Sequence, residues 1–303
     1  MALDIAVVGE INLDLILYGL PQEMPLEREL LATNFRQTLG SSSAILAHNL
    51  STLGTRVGFT TCVGPDPMGQ IALEYLRSAG VDLSHLISSQ TTTGVTLLLP
   101  HDRDRHILTF PGTMFELKYD HLDLPFLKSA SHFHMSSLYL HRGLLPDAGR
   151  LFREMKAAGL TTSLDTNDDP DDTWLLLDEI FPHVDIFLPN RQEACRIAQT
   201  NDVSEAINRL AERVPMLVVK LGADGALLRK GKEEIRAAGE KVTVVDTVGA
   251  GDSFDSGFLH QFLRGAHLQD CLKFGNRTAA YSTTAAGGVE AFRDEKRRKE
   301  FLG

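Results

Sequence analysis

The residues with the most chemical content lie in VVDTVGAGDSFDSGFLHQFLRG, from Val244 to Gly265. A β-branched strand is expected to end at Asp246. Gly249, Ala250 and Gly251 then make a tight turn, and an amphipathic helix runs from about Asp252 to a Gly265 cap. Glycines there let backbone N–H groups approach a ligand closely, and the helix start adds partial positive charge. Together they make an anion site suited to phosphate charge that develops during transfer. Asp252 stands at its lip, where a helix N-terminus keeps a carboxylate ionised and able to accept an alcohol proton. Taken alone, the same residues would serve equally well as a turn with an Asp N-cap.

Such a site needs a rigid scaffold, and the rest of the chain supplies the pattern of one. Apolar runs of strand length recur at Ile5–Val8, Val57–Thr60, Ser131–Met135, Thr161–Leu164, Ile186–Leu188, Leu217–Lys220 and Val242–Val245. Helix-like stretches such as Met68–Ala79, Pro146–Ala157 and Val203–Arg213 alternate with them, which is the α/β pattern. Continuous hydrophobicity in the strands predicts a mainly parallel sheet buried on both faces. Residues 13–38 and 91–112 break the rhythm. The second reads as a hairpin, TGVTLLLP and RHILTF around HDRD, and a small β subdomain accounts for both.

The 303 residues, 43% hydrophobic and 23% charged, suit a folded enzyme-sized protein. A net charge of -10 argues against a nucleic-acid or anionic-membrane surface. The mixed-sign run from Arg293 to Lys299 reads as a solvated final helix. Cys62, Cys195 and Cys271 are too few and too far apart for a disulfide framework or zinc site and read as buried thiols. Glu10, Asn12 and Asp14 interrupt the N-terminal apolar stretch, leaving neither a signal peptide nor a membrane span, so a cytoplasmic location is expected.

The pattern D-T-x-G-A-G-D-x-F-x-x-G, present as Asp246, Thr247, Gly249, Ala250, Gly251, Asp252, Phe254 and Gly257, resembles the C-terminal signature of ribokinase-like (PfkB-type) carbohydrate kinases. The order of elements agrees with that family over nearly the full chain. The resemblance implies a three-layer α/β/α core over residues 1–12, 39–90 and 113–303, with 13–38 and 91–112 as a β-sheet lid over the acceptor. It implies ATP and Mg²⁺ as cofactors, allows a potassium ion near Asp246, and implies a homodimer formed through the lid. Asn12 and Asp14 look like the family's sugar-hydroxyl ligands, and GPDPMG from Gly64 to Gly69 looks like its G-x-D-x-x-G turn. Asn190 and Glu193 carry an N-x-x-E element that organises metal and phosphate. Lys220, Gly222 and Gly225 in KLGADG resemble the nucleotide-phosphate loop, and Asn276 lies where the family meets the adenine end. Each has a plainer reading on its own: polar strand ends for Asn12 and Asp14, a turn residue for Asn190, a solvent-facing acid for Glu193, a snorkelling side chain for Lys220.

Departures from the family fall near the acceptor. The usual G-G-x-x-x-N reads here Gly40, Ser41, Ser42, Ser43, Ala44 and Ile45. Close backbone approach at Ser41 is thereby questioned and an amide contact is replaced by Ile45. Asp168 and Asp169 in LDTNDDPDDTW would repel an acidic acceptor or form a solvated loop. His132 and His134 share a strand face and read as strand-end polar residues near the acceptor pocket. The leading function is ATP-dependent phosphorylation of a hydroxymethyl group on a sugar, sugar derivative or nucleoside. The competing reading, drawn from the altered Gly40–Ile45 segment, is a catalytically silent sugar or nucleotide sensor. Neither a dinucleotide fingerprint after the first strand nor a Walker P-loop is present.

Overall fold

The computed structural model describes residues 3–101 and 104–303. In chain order the strands are β1 (Ile5–Val8), β2 (Asn12–Tyr18), β3 (Asn34–Gly40), β4 (Val57–Thr60), β5 (Cys62–Val63), β6 (Ile87–Ser88), β7 (Gly94–His101), β8 (Asp104–Phe110), β9 (His132–Ser136), β10 (Thr161–Asp165), β11 (Ile186–Phe187), β12 (Met216–Lys220), β13 (Ala226–Lys230) and β14 (Glu233–Ala237). An eight-stranded sheet runs in the order β14-β13-β12-β11-β10-β9-β1-β4. It is parallel from β4 to β12, and β13 and β14 are added antiparallel at one edge.

Period-two alternation assigns the two faces. Ile5, Val7, Val57, Phe59, Ile186, Met216 and Val218 pack with the helices Ser42–Thr52, Ala250–Leu263 and Leu268–Ser282. Ala6, Val8, Phe133, Met135, Leu164, Phe187, Leu217 and Val219 pack on the other side against Ala148–Ala157, Arg191–Ile197 and Val203–Ala211. The result is the expected ribokinase-like three-layer α/β/α core. Among the described residues no helix is long and apolar enough to cross a membrane.

A second sheet, ordered β3-β2-β7-β8, is built mostly from the two segments that broke the sequence rhythm, with Asn12, Leu39 and Gly40 added beyond their bounds. β2 pairs antiparallel with β3 and parallel with β7, and β7 pairs antiparallel with β8. Of the HDRD turn read from sequence, Asp102 and Arg103 lie outside the described residues. The register sets Asn12 beside both Gly40 and Gly94, and Asp14 beside Thr38 and Thr96.

Two expectations are corrected. Val242–Val245 is not a strand: Val244 and Val245 are 57% and 59% exposed. The β13–β14 hairpin already occupies that edge of the sheet, and the segment instead hangs on Thr283, whose carbonyl accepts from Val245 and Asp246 N–H. His132 and His134 lie neither at a strand end facing solvent nor at the acceptor pocket. Both are fully buried. The imidazoles are satisfied by hydroxyls in a continuous chain: Thr161 and Ser163 flank His132, and Ser163 and Ser136 flank His134, at 2.6–2.7 Å. Burial pushes both rings down to about 3, so they stay neutral.

The Gly64–Gly69 turn clasps the two sheets. Asp66 caps the helix Pro67–Ala79 by accepting from Met68 and Gly69 N–H, and its other oxygen accepts from the N–H and hydroxyl of Thr93, which leads into β7. Burial works against the charge, but the Thr93, Gly69 and Met68 amides outweigh it and hold the carboxyl below its ordinary range. Asp66→Ala is expected to cost about 1–2 kcal/mol of stability near neutral pH. With a depressed folded-state pKa, this contribution is complete above the ordinary carboxylate value of 3.8 and is lost as pH falls through the folded value. Melting curves of parent and Asp66→Ala should therefore differ at pH 7 and converge in acid; a constant difference across pH refutes the carboxylate's role.

Candidate active site

The parallel strands end on one side, and a cavity of about 890 Å³ opens there beneath the second sheet. Asn12, Asp14, Ser41, Asn190, Glu193, Lys220, Gly222, Gly249, Ala250, Gly251 and Asp252 all line it. The structure thus brings together residues spread over most of the chain. Gly40, Gly225, Asp246 and Asn276 do not line it.

The helix of the glycine motif begins at Ala250, earlier than sequence suggests, with Gly249 in the left-handed region (φ 70) as its N-cap. Asp252 is therefore in the first turn rather than at the cap. A Cβ at Gly249 would meet Gly288 Cα at 2.5 Å, so this position needs glycine for space as well as for φ. The backbone N–H groups of Gly251 and Asp252 meet no protein acceptor among the described residues. Two free donors at a helix N-terminus, beside the cavity, have the chemistry that anions favour. Asp246 anchors the preceding turn, accepting from Val248 N–H and Gly287 N–H at 3.0 Å each.

Opposite that turn stand Asn12 and Asp14 on β2. Asn12 Nδ2 donates to Thr96 Oγ1 at 2.7 Å, whereas its buried Oδ1 has no protein partner. An orphaned buried acceptor costs free energy until a donor arrives, which a ligand hydroxyl would supply. Gly40 makes room for this pair: a Cβ there would fall 2.1 Å from Asp14 Oδ1. Burial, helped by the Asp252 charge, raises Asp14 to about 7. Burial and the Asp165 carboxylate raise Asp252 to about 6.

Ser41 adopts a backbone that glycine would take more freely, with φ 74 and ψ 129, a strain of about 1–3 kcal/mol for a residue with a Cβ. Its hydroxyl compensates locally, donating to the Glu10 carbonyl and accepting from Ala44 N–H. Ile45 lines the cavity and is wedged between two glycines, since Cβ atoms at Gly249 and Gly288 would come within 3.3 and 2.6 Å of its Cδ1.

Asn190 and Glu193 form a capping box at the start of the helix Arg191–Ile197. Glu193 is buried, not solvent-facing, and burial together with Asp165 raises it to about 8. Lys220 does not snorkel. Its ammonium is buried between Asp165 and Asp255. Despite burial, those two carboxylates and Glu193 hold it protonated. Gly225 (φ 96) closes the loop after β12 by accepting from Leu221 N–H. Asn276 donates to the carbonyls of Ala237 and Ala238 and so pins the end of β14.

Of the loop acids, Asp168 lines the cavity paired with Arg196 at 2.7 Å. Asp169 is a buried turn clamp that accepts from Asp171, Thr173 and Trp174 N–H. Sequence reading missed Glu10, Asp165, Asp255 and Arg105. Glu10 is buried against His141 and Ser43; burial opposes its charge, but His141 holds it at about 2. Arg105 reaches from β8 to the hydroxyl of Thr247. Among the described residues no group of three or more His, Cys, Asp or Glu side chains is placed to hold a metal. A cation that draws most of its oxygen ligands from phosphate and water, as Mg²⁺ does, fits such a site.

A family model described as pfkB family carbohydrate kinase matches residues 2–295. Fructoselysine 6-kinase of Shigella flexneri is 30% identical over 245 residues, covering 80% of this chain and 88% of that protein. The fold is also that of a probable sugar kinase from Rhizobium etli CFN 42, with a TM-score of 0.88 at 24% identity over 99% of each chain. Arabidopsis thaliana ribokinase, solved with ribose and ATP, gives a TM-score of 0.84 at 25% identity over 100% of this chain and 99% of that one. Carried by that match over nearly its whole length, the chain belongs to the pfkB family of carbohydrate kinases and is an ATP-dependent kinase of sugars or nucleosides.

Proposed function

We propose that the enzyme moves the γ-phosphoryl group of ATP to a hydroxymethyl group of a sugar, sugar derivative or nucleoside, with Asp252 as base. The observation that carries this reading is the convergence, in one cavity, of the Asp252 carboxylate, the free N–H groups of Gly251 and Asp252, and the orphaned Asn12 Oδ1. Asn12 and Asp14 take acceptor hydroxyls, with Gly40 and Ser41 shaping the wall. Asp252 accepts the proton of the attacking hydroxyl. The Gly249–Gly251 turn receives charge developing on the transferring phosphoryl. Lys220 adds a cation beneath that turn, Asn190, Gly222 and Gly225 shape the phosphate side, and Asn276 holds the strand end against which the adenine packs. Glu193 would hold Mg²⁺ together with the nucleotide phosphates, where the metal would supply neutralising charge. A potassium ion would lie beside Asp246.

Residues 13–38 and 91–112 act as a lid that excludes water from the transfer, since an open site would hydrolyse ATP. Phe35, Leu108 and Phe110 on this sheet are each about half exposed, and a second copy of the chain covers them. Sedimentation at micromolar concentration should show a dimer that Phe110→Glu dissociates; a monomeric parent rejects this arrangement.

Asp252→Asn separates chemistry from structure. Loss of a general base should lower turnover by about 100- to 10,000-fold. The carboxylate has a folded-state pKa raised to about 6, so the fold loses stability as pH rises from its ordinary 3.8 through that value. The Asn variant should thus melt at or above the parental temperature at pH 8. The parental kcat/KM should fall as pH drops below about 6, where the base becomes protonated. Near-parental turnover of Asp252→Asn removes it from the mechanism.

ATP consumption across ribose, fructoselysine, adenosine and related acceptors identifies the substrate, and silence with all of them would favour a sensor. Ile45→Asn should raise kcat/KM for a fully hydroxylated sugar over the native acceptor by roughly 10-fold, because an amide can pair a hydroxyl that isoleucine leaves unsatisfied. An unchanged ratio means that position 45 does not read the acceptor.

A further inference from the structure

Asp255 is a carboxylate at a position where a packed helix ordinarily holds an apolar side chain. It is fully buried in the helix Ala250–Leu263, among Ser253, Phe254 and Ser256. Three residues beyond Asp252, it occupies the same helix face one turn deeper. The helix therefore offers one carboxylate to the cavity and a second beneath it. Asp255 Oδ1 and Oδ2 lie 3.3 and 3.1 Å from Lys220 Nζ, and Asp165 Oδ2 lies 2.6 Å from the same nitrogen.

Stability does not explain this cluster. Burying ions requires desolvation that their attraction often fails to offset, and apolar residues of similar volume are commonly as stable or more so. Burial and the neighbouring Asp165 keep Asp255 well above the ordinary carboxylate range despite Lys220, a sign of that strain. What the cluster does supply is direction. A lysine side chain is flexible and loses considerable rotamer entropy when fixed. Acceptors from β10 and from the helix engage the ammonium from two sides and leave donor capacity toward the cavity. There a Cβ at Gly251 would lie only 3.6 Å from Nζ.

We infer that Asp255 is a positioning residue: with Asp165 it fixes the Lys220 ammonium under the Gly249–Gly251 turn, aimed at the transferring phosphoryl group. This rests on the assignment of Lys220 to the phosphates.

The test is a double-substitution cycle with ATP, Mg²⁺ and whichever of ribose, fructoselysine or adenosine the parent phosphorylates fastest. Asp255→Leu should lower kcat about 10-fold, the effect of misdirecting one charge-assisted contact, while acceptor KM is unchanged and the melting temperature is equal or higher. Asp255→Asn, which keeps the shape and one acceptor oxygen, should restore most of the rate. Lys220→Met should also lower kcat, and the joint Lys220→Met, Asp255→Leu variant should be no slower than Lys220→Met alone. Near-parental kcat in Asp255→Leu, or losses that simply multiply, overturns the positioning role. An impaired Lys220→Met beside an unimpaired Asp255→Leu overturns that role while sparing the Lys220 assignment; a parental Lys220→Met overturns both. Should Asp255→Leu fail to fold, Asp255→Ala enters the cycle under the same criteria.

Discussion

Lys220 and the carboxylates around it are held at the carboxyl edge of a parallel sheet, where strands from distant parts of the chain end side by side. Asp165 closes β10 and Lys220 closes β12, while Asp252 and Asp255 come from the helix packed across them. Water is largely excluded, so each charge is defined by its neighbours rather than by solvent. Burial raises Asp14, Glu193 and Asp252 together. A site with this surplus of buried acid would gain from a ligand that brings positive charge or hydroxyl donors. The second sheet, the glycine turn and the Asn190–Glu193 capping box all serve to keep these groups in register.

How much of this could be read from residues depended on whether a group acts through backbone geometry or through burial. The Gly249–Asp252 turn was legible because glycine spacing and a helix start are local properties of sequence. So were the two interrupting segments, whose alternation differs from that of buried parallel strands. Asp165 and Asp255 were not legible: one ends a strand and the other sits within a helix, and nothing local says that Lys220, from a third element, meets both. The β-branched run Val242–Val245 misled for the opposite reason. Its local preference is for strand, but the β13–β14 hairpin had filled the sheet edge, and tertiary context overrode propensity.

Ser41 and Ile45 illustrate how departures from a motif can be absorbed. At position 41 the backbone retains the left-handed φ that glycine would adopt freely, and the added hydroxyl becomes a helix cap. At position 45 the aliphatic side chain fills the gap between Gly249 and Gly288, which turns a place for recognition into a piece of packing that still borders the cavity. The first change preserves the shape of the wall, and the second alters its chemistry.

The buried histidine and hydroxyl chain between β9 and β10 has a consequence for how the sheet finds its alignment. Hydrophobic patterning alone repeats every two residues, so sliding β10 by two positions would leave Phe133, Met135 and Leu164 on their proper face. Such a slip would set His134 opposite Thr161 or Asp165 in place of Ser163 and break the chain in which the Ser163 hydroxyl bridges both imidazoles. Unpaired polar groups at full burial are penalised heavily. The polar ladder therefore discriminates among alignments that oiliness cannot tell apart, and it does so at the centre of the sheet, from which the strands that end at the cavity are laid out.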